Sequence, residues 1–187
     1  MKFESSQNDN MFQYITVVTN NRVKVFHNPR ACQFLIDAIN NAREKYPFKL
    51  IGYVVMPDHL HMIANPLEQN IEAVLKQIKG IAAHDIIAWL RAEGHERSLE
   101  KLKLHNPKKR AHQYALWLKK FFPVELWSAK FVQQKLQYMH NNPVRAGFCK
   151  HPAEWMWSSY RAYFPHELGS VPLENDWQAY WKDDPKV

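Results

Sequence analysis

Two histidines one residue apart, His59 and His61, follow a Pro57-Asp58 turn signal in a stretch that otherwise reads as a β-strand. Residues i and i+2 of a strand project to the same face, so the two imidazoles can be presented together while Leu60 points into the core. Two imidazoles on a rigid strand make half of a divalent-metal site, although two surface histidines on a half-exposed strand share the spacing. A binuclear hydrolase of the His-x-His-x-Asp-His kind needs an acid and a histidine where Ile63 and Ala64 stand, and the zincin pattern His-Glu-x-x-His is absent. The five glycines form no phosphate-cradling loop, and Cys32 and Cys149 form no CxxC, which argues against a structural zinc.

A second chemical grouping is Tyr138 with Asn142. Four apart on a helix, they share a face. A phenol and an amide carbonyl aimed at one phosphate make a nucleophile and a ligand, and the same tyrosine also suits the packed end of an amphipathic helix. Pro143 disfavours helical dihedrals at Asn142, which puts the pair on a last turn where Asn141 can substitute.

The elements that must position these groups are read from periodicity and caps. Phe12 to Val18 is a strand, Val23 to Phe26 reads as a short return strand, and Asn28-Pro29 opens a helix running to Pro47. Phe48 to Val55 and the strand from His59 to Ile63 form a hairpin closed at Asn65-Pro66. The next helix carries an apolar stripe of Ile71, Val74, Leu75, Ile78, Ala82, Ile86 and Trp89, with Lys76 and Lys79 off the stripe and free to face a partner. From Glu93 to Gln113 the pattern is charged and reads as a solvated linker, most basic at Lys108-Lys109-Arg110. Tyr114 to Trp117 and Val124 to Trp127 are candidate strands, and Ser128 caps a helix leading to Asn142-Pro143. The β-α-β-β-α-β series predicts an α+β, ferredoxin-like antiparallel sheet with helices on one face, plus a C-terminal helix carrying Tyr138 and an aromatic-rich tail. One domain is expected over 1–187, with a core at about 12–147 and an aromatic extension at about 148–187.

With 46% hydrophobic residues and seven Trp, the 187-residue chain is expected to be folded. No apolar run is long enough for a membrane span and no signal peptide is read at the start, so a cytoplasmic protein with two free thiols is expected. A net charge of +7 is compatible with phosphate contacts, for which Lys76, Lys79, Lys108, Lys109, Arg110 and Arg145 are candidates. Trp155, Trp157, Tyr160 and Tyr163 can stack on exposed bases or pack over the sheet.

The segment Pro57-Asp58-His59-Leu60-His61-Met62-Ile63 resembles the metal-binding strand of the single-tyrosine HUH transposases, the insertion-sequence type. Tyr138-Met139-His140-Asn141-Asn142-Pro143-Val144-Arg145-Ala146-Gly147, followed by Glu154-Trp155-Met156-Trp157-Ser158-Ser159-Tyr160, resembles the REP-associated tyrosine transposase branch of that family. Lys76-Gln77-Ile78-Lys79-Gly80 resembles its second-helix pattern, and the likeness runs from about Phe12 to Tyr160.

The resemblance implies a ferredoxin-like core and a Mg²⁺- or Mn²⁺-dependent site in which His59 and His61 are ligands. It implies Asn142 as third ligand, where related transposases use Gln, and Tyr138 as the nucleophile that forms a 5′-phosphotyrosine. Its implied partner is single-stranded DNA at hairpins or palindromic repeats, handled by a bacterial, nucleoid-associated monomer or homodimer. Three other readings stay open: a domesticated repeat-binding protein with the same residues, separable only by activity, and an RNA-binding ferredoxin-like module with incidental histidines and no metal dependence. The third is a relaxase or replication initiator, which usually comes as a larger multidomain chain.

Overall fold

The computed structural model describes residues 11–67, 70–104 and 113–163. Four antiparallel strands, β1 (Phe12–Val18), β2 (Lys49–Met56), β3 (His59–Asn65) and β4 (Val124–Leu126), form one sheet in the order β2-β3-β1-β4. With α1 (Pro29–Lys45) between β1 and β2, and α2 (Ile71–Ala92) between β3 and β4, this is the ferredoxin-like series expected from the sequence. The helix caps are those read from the sequence: the Asn28 side chain accepts from Arg30 N, Pro29 starts α1, and the Ser128 side chain accepts from Phe131 N at the start of α4 (Ala129–His140).

One face of the sheet carries α1 and α2. Ile15, Val17, Leu60, Met62 and Ala64 meet Leu35, Ile39, Leu75 and Ile78 there in a closed apolar core, and all seven stripe positions of α2 are buried. On the other face α4 packs against Phe12, Tyr14, Ile51, Val54 and Ile63 through Val132, Leu136 and Met139. The helices therefore lie on both faces once α4 is included. Gly52 makes the close approach of α4 to β2 possible, because a Cβ there would stand 2.5 Å from Met139 Cε and 2.7 Å from Leu136 Cδ2.

The chain departs from the sequence expectation in three places. Val23 to Phe26 is no return strand: the segment folds as two 3₁₀ turns, Asn20–Arg22 and Val25–His27, with Asn21 and Arg22 at φ 52° and 50°. The physical reason is that β1 already has β3 and β4 on its two edges and offers no ladder for a fifth strand. Part of the supposed solvated linker is the helix α3 (Glu96–Leu102), anchored by buried Leu99 and Leu102. Tyr114 and Trp117 form isolated bridges, to Lys103 and Thr19, rather than a strand.

Beyond α4 a single-turn helix, α5 (Asn142–Arg145), continues the chain with Pro143 in its first turn. The described part of the aromatic extension then closes the free edge of β2. Val55 N donates to Trp157 O at 2.8 Å, Trp155 Nε1 donates to Val55 O at 2.9 Å, and the Tyr163 hydroxyl donates to Ile51 O. Trp155, Trp157 and Tyr163 thus pack on the sheet rather than standing out to stack on bases.

Candidate active site

Strand alternation on β3 puts His59 and His61 on the α4 face while Leu60 goes to the core, as the i, i+2 spacing requires. Their Nε2 atoms lie 3.1 Å apart with the rings nearly perpendicular. The opposite edge of each ring is held. His59 Nδ1 donates to Asp58 Oδ1 at 2.5 Å, and Asp58 Oδ2 accepts from Arg22 at 3.0 Å. His61 Nδ1 lies 2.8 Å from both the Tyr14 and Thr16 hydroxyls, Thr16 being its direct cross-strand partner. Each imidazole therefore turns Nε2 toward the same point.

The electrostatics follow from burial and these partners. Burial, reinforced by the neighbouring His59, depresses His61 to about 3 and keeps its ring neutral, the form that ligates cations. Burial pushes the Asp58 carboxyl up, but hydrogen bonds from His59 and Arg22 outweigh this and hold it below the usual carboxylate value. Burial raises the Tyr14 phenol to about 12, so this tyrosine stays protonated.

Helix α4 brings Tyr138 over this pair. Its ring centroid is 6.5 Å from that of His61 and 6.4 Å from that of Tyr14, and the residue is 44% exposed. Lys135 Nζ sits 5.8 Å from the Tyr138 ring and the Arg145 guanidinium 5.0 Å from it, so two cations flank the phenol. His59, His61, Tyr138, Asn142 and Arg145 line one open cleft of about 420 Å³ together with Thr16, Arg22 and Met56. Asn141 is not the substitute the helix end allowed: its amide donates to Gln137 O, and it faces a different cavity.

The residues fit a divalent cation on two grounds. Two metal–nitrogen bonds of about 2.1 Å at a right angle span about 3.0 Å, close to the observed Nε2 separation of 3.1 Å. No three His, Cys, Asp or Glu side chains gather among the described residues, so any third protein donor would be of another kind. The second ground is Asn142, which lines the cleft and has a buried Nδ2 without a hydrogen-bond partner. Rotating the amide presents its carbonyl oxygen from the same place.

The other expected DNA contacts lie elsewhere. Lys76 and Lys79 are on α2, across the sheet from the cleft. Lys76 is exposed, whereas Lys79 is half-buried, donates to Leu118 O at 2.8 Å and has its pKa lowered by burial. Lys108, Lys109 and Arg110 lie outside the described residues. Asp58, Arg22, Tyr14, Thr16 and Lys135 were missed as members of the site. The i, i−3 spacing of Lys135 to Tyr138 was a usable signal, whereas the Thr16–His61 pairing depends on strand register.

Residues 8–142 match the model of the family described as IS200-like transposases. A protein of Haemophilus influenzae named as a REP-associated tyrosine transposase is 22% identical over 172 residues, covering 85% of this chain and 88% of that protein. A solved structure, named as a REP-associated tyrosine transposase bound to a REP hairpin, superposes with a TM-score of 0.65 at 19% identity, covering 94% of this chain and 93% of that one. At that identity the likeness is one of fold.

Proposed function

The chain belongs to the IS200-like transposase family, and from that premise we propose that it cuts and rejoins single-stranded DNA through Tyr138, using Mg²⁺ or Mn²⁺ held by His59, His61 and Asn142. The observation that carries the reading is the meeting of these four side chains and Arg145 in one cleft. The substrate we propose is hairpin or palindromic repeat DNA, the kind of ligand named for the structural relative.

Tyr138 oxygen attacks the phosphorus and the bond to the 3′ oxygen breaks. One P–O bond is exchanged for another, leaving a 5′-phosphotyrosine and a 3′-OH. Arg145 and Lys135, flanking the ring, draw the phosphate in and offset the negative charge on the attacking oxygen. The phenolic proton has a direct route to water because Tyr138 is 44% exposed. Asp58, Tyr14 and Thr16 hold the two imidazoles in orientation throughout. The chemistry a bound divalent cation supplies is Lewis-acid polarisation of the phosphate oxygens. A second 3′-OH attacking the phosphotyrosine reverses the exchange on a new strand, so no nucleotide cofactor is needed.

The test is cleavage of a hairpin oligonucleotide taken from DNA flanking the gene, with and without Mn²⁺. Cleavage only with the cation, and a product carrying protein at its 5′ end, is expected. A product with a free 5′-phosphate, or cleavage indifferent to chelator, would overturn the proposal.

A further inference from the structure

Helix α4 is a wall between two hollows. Tyr138 looks to the cleft of the histidines with Lys135 beside its ring, while Lys130, Gln133 and Gln137, roughly a third of a turn round the helix, line a separate cavity of about 910 Å³. Its far wall comes from the extension that closes the β2 edge, with Lys150 and the Tyr160 ring. Among the described residues its lining includes lysines at both sides and no carboxylate.

The floor is His140, which is tied to the sheet through Ser159. The Ser159 hydroxyl donates to Tyr53 O at 3.1 Å and its oxygen accepts from Tyr53 N at 2.9 Å. His140 Nε2 lies 2.8 Å from the same Ser159 oxygen. The imidazole keeps one ring nitrogen besides the one engaged by Ser159. Gln133 and Gln137 each add a donor and an acceptor on one helix face. Tyr160 stands edge-on to His140, with ring centroids 5.4 Å apart.

We propose that this cavity binds an unpaired nucleotide of the DNA strand that enters the neighbouring cleft. Its base edge is read by Gln133, Gln137 and His140, its flat face lies against Tyr160, and its phosphates lie on Lys130 and Lys150. The volume falls within the roughly 300–1,000 Å³ of small-ligand pockets and accommodates a base with its sugar. Amide pairs are the side chains that discriminate bases, an aromatic face is what an unstacked base needs, and lysines on both sides suit a polyanion. The nearby Glu154 carboxylate is held by Lys150 N at 2.9 Å. Because α4 carries Tyr138 on the adjoining face, a strand lying across the helix reaches both hollows. The inference rests on the proposed function and assigns a second contact of the same substrate.

The experiment uses full-length protein carrying Tyr138→Phe, so that binding is measured without cleavage. The probes are dA, dC and dT homopolymer oligonucleotides and a 5-iodouracil-substituted strand. Light should crosslink the last to the peptide containing Tyr160. Lys130→Glu with Lys150→Glu should lower affinity about tenfold and flatten the salt dependence by about one unit of slope per lysine. Gln137→Ala should reduce the preference among the homopolymers about fivefold or more while leaving the salt slope unchanged. Wild-type affinity and slope in the lysine variant, or crosslinks confined to the other face of α4, would overturn the inference. The crosslinking arm needs no further substitution, so a lysine variant that fails to fold does not remove the test. Crosslinks at Tyr160 from a protein that never cleaves DNA would uphold this site while removing the proposed function.

Discussion

Leu60, Met62 and Ala64 of β3 enter a closed core under α1 and α2, whereas His59, His61 and Ile63, one residue out of step, face α4. The first face is dry along its length, with apolar stripes from two long helices buried on it. The second begins as a core, with Ile51, Val54, Leu136 and Met139, and opens at one end into a cleft with held histidines and flanking cations. The contrast teaches how a small sheet divides its labour. Burial on one face stabilises the fold, and that rigidity lets the other face keep polar groups in fixed directions around an open site.

The comparison is broken most directly by substitutions one residue apart. Leu60→Ala should cost about 2–5 kcal/mol in denaturant melts, the usual loss for a fully buried leucine. His61→Ala should cost about 1 kcal/mol, because the Tyr14 and Thr16 hydroxyls lose a partner, Thr16 beside an open cleft. It should nonetheless abolish DNA cleavage and the rise in melting temperature that Mn²⁺ gives the wild type. Equal destabilisation by the two changes would erase the distinction between the faces.

A second test sharpens it through pH. Burial holds His61 at about 3 and His140 at about 4 in the folded chain, against about 6.5 when unfolded. Below about 6.5 the unfolded chain takes up protons that the folded one refuses. Stability is therefore level above that pH and falls as the pH drops, by up to about 1.4 kcal/mol per pH unit for each histidine, until the folded pKa values are reached. Urea midpoints of the cation-free protein across this range should show the decline; a flat profile would mean these rings are not shielded.

The smallest effect expected is at the surface. Arg145→Ala, in the cleft, should weaken DNA binding severalfold and slow cleavage, while Lys76→Ala, across the sheet, should change cleavage little. Matching losses from the two, measured by oligonucleotide titration and cleavage rate, would place DNA on both faces.

How much of this was legible follows from the range of the interactions involved. The α2 stripe, the Asn28 and Ser128 caps and the hairpin at Pro57-Asp58 are set by neighbours within a few residues, and they stand where periodicity puts them. Helix α3 was hidden because its two buried leucines are outnumbered by charges. The hold of Thr16 on His61, the salt link from Arg22 to Asp58 and the engagement of Lys79 by Leu118 O join residues 36 to 45 positions apart, and one chain without register cannot reveal them. Asp58 illustrates the difference: its turn role was local and readable, whereas its hold on His59 needed the ring's direction.

The central claim is that Tyr138 is the attacking group. The direct measurement is to trap the covalent protein–DNA adduct on a suicide hairpin oligonucleotide with Mn²⁺ and map the modified peptide, in the wild type and in Tyr138→Phe. Losing one oxygen from a residue that is 44% exposed should leave stability and DNA affinity nearly unchanged. The account predicts an adduct on Tyr138 in the wild type and none in the variant. An adduct that persists in Tyr138→Phe, or maps to another tyrosine, would contradict it.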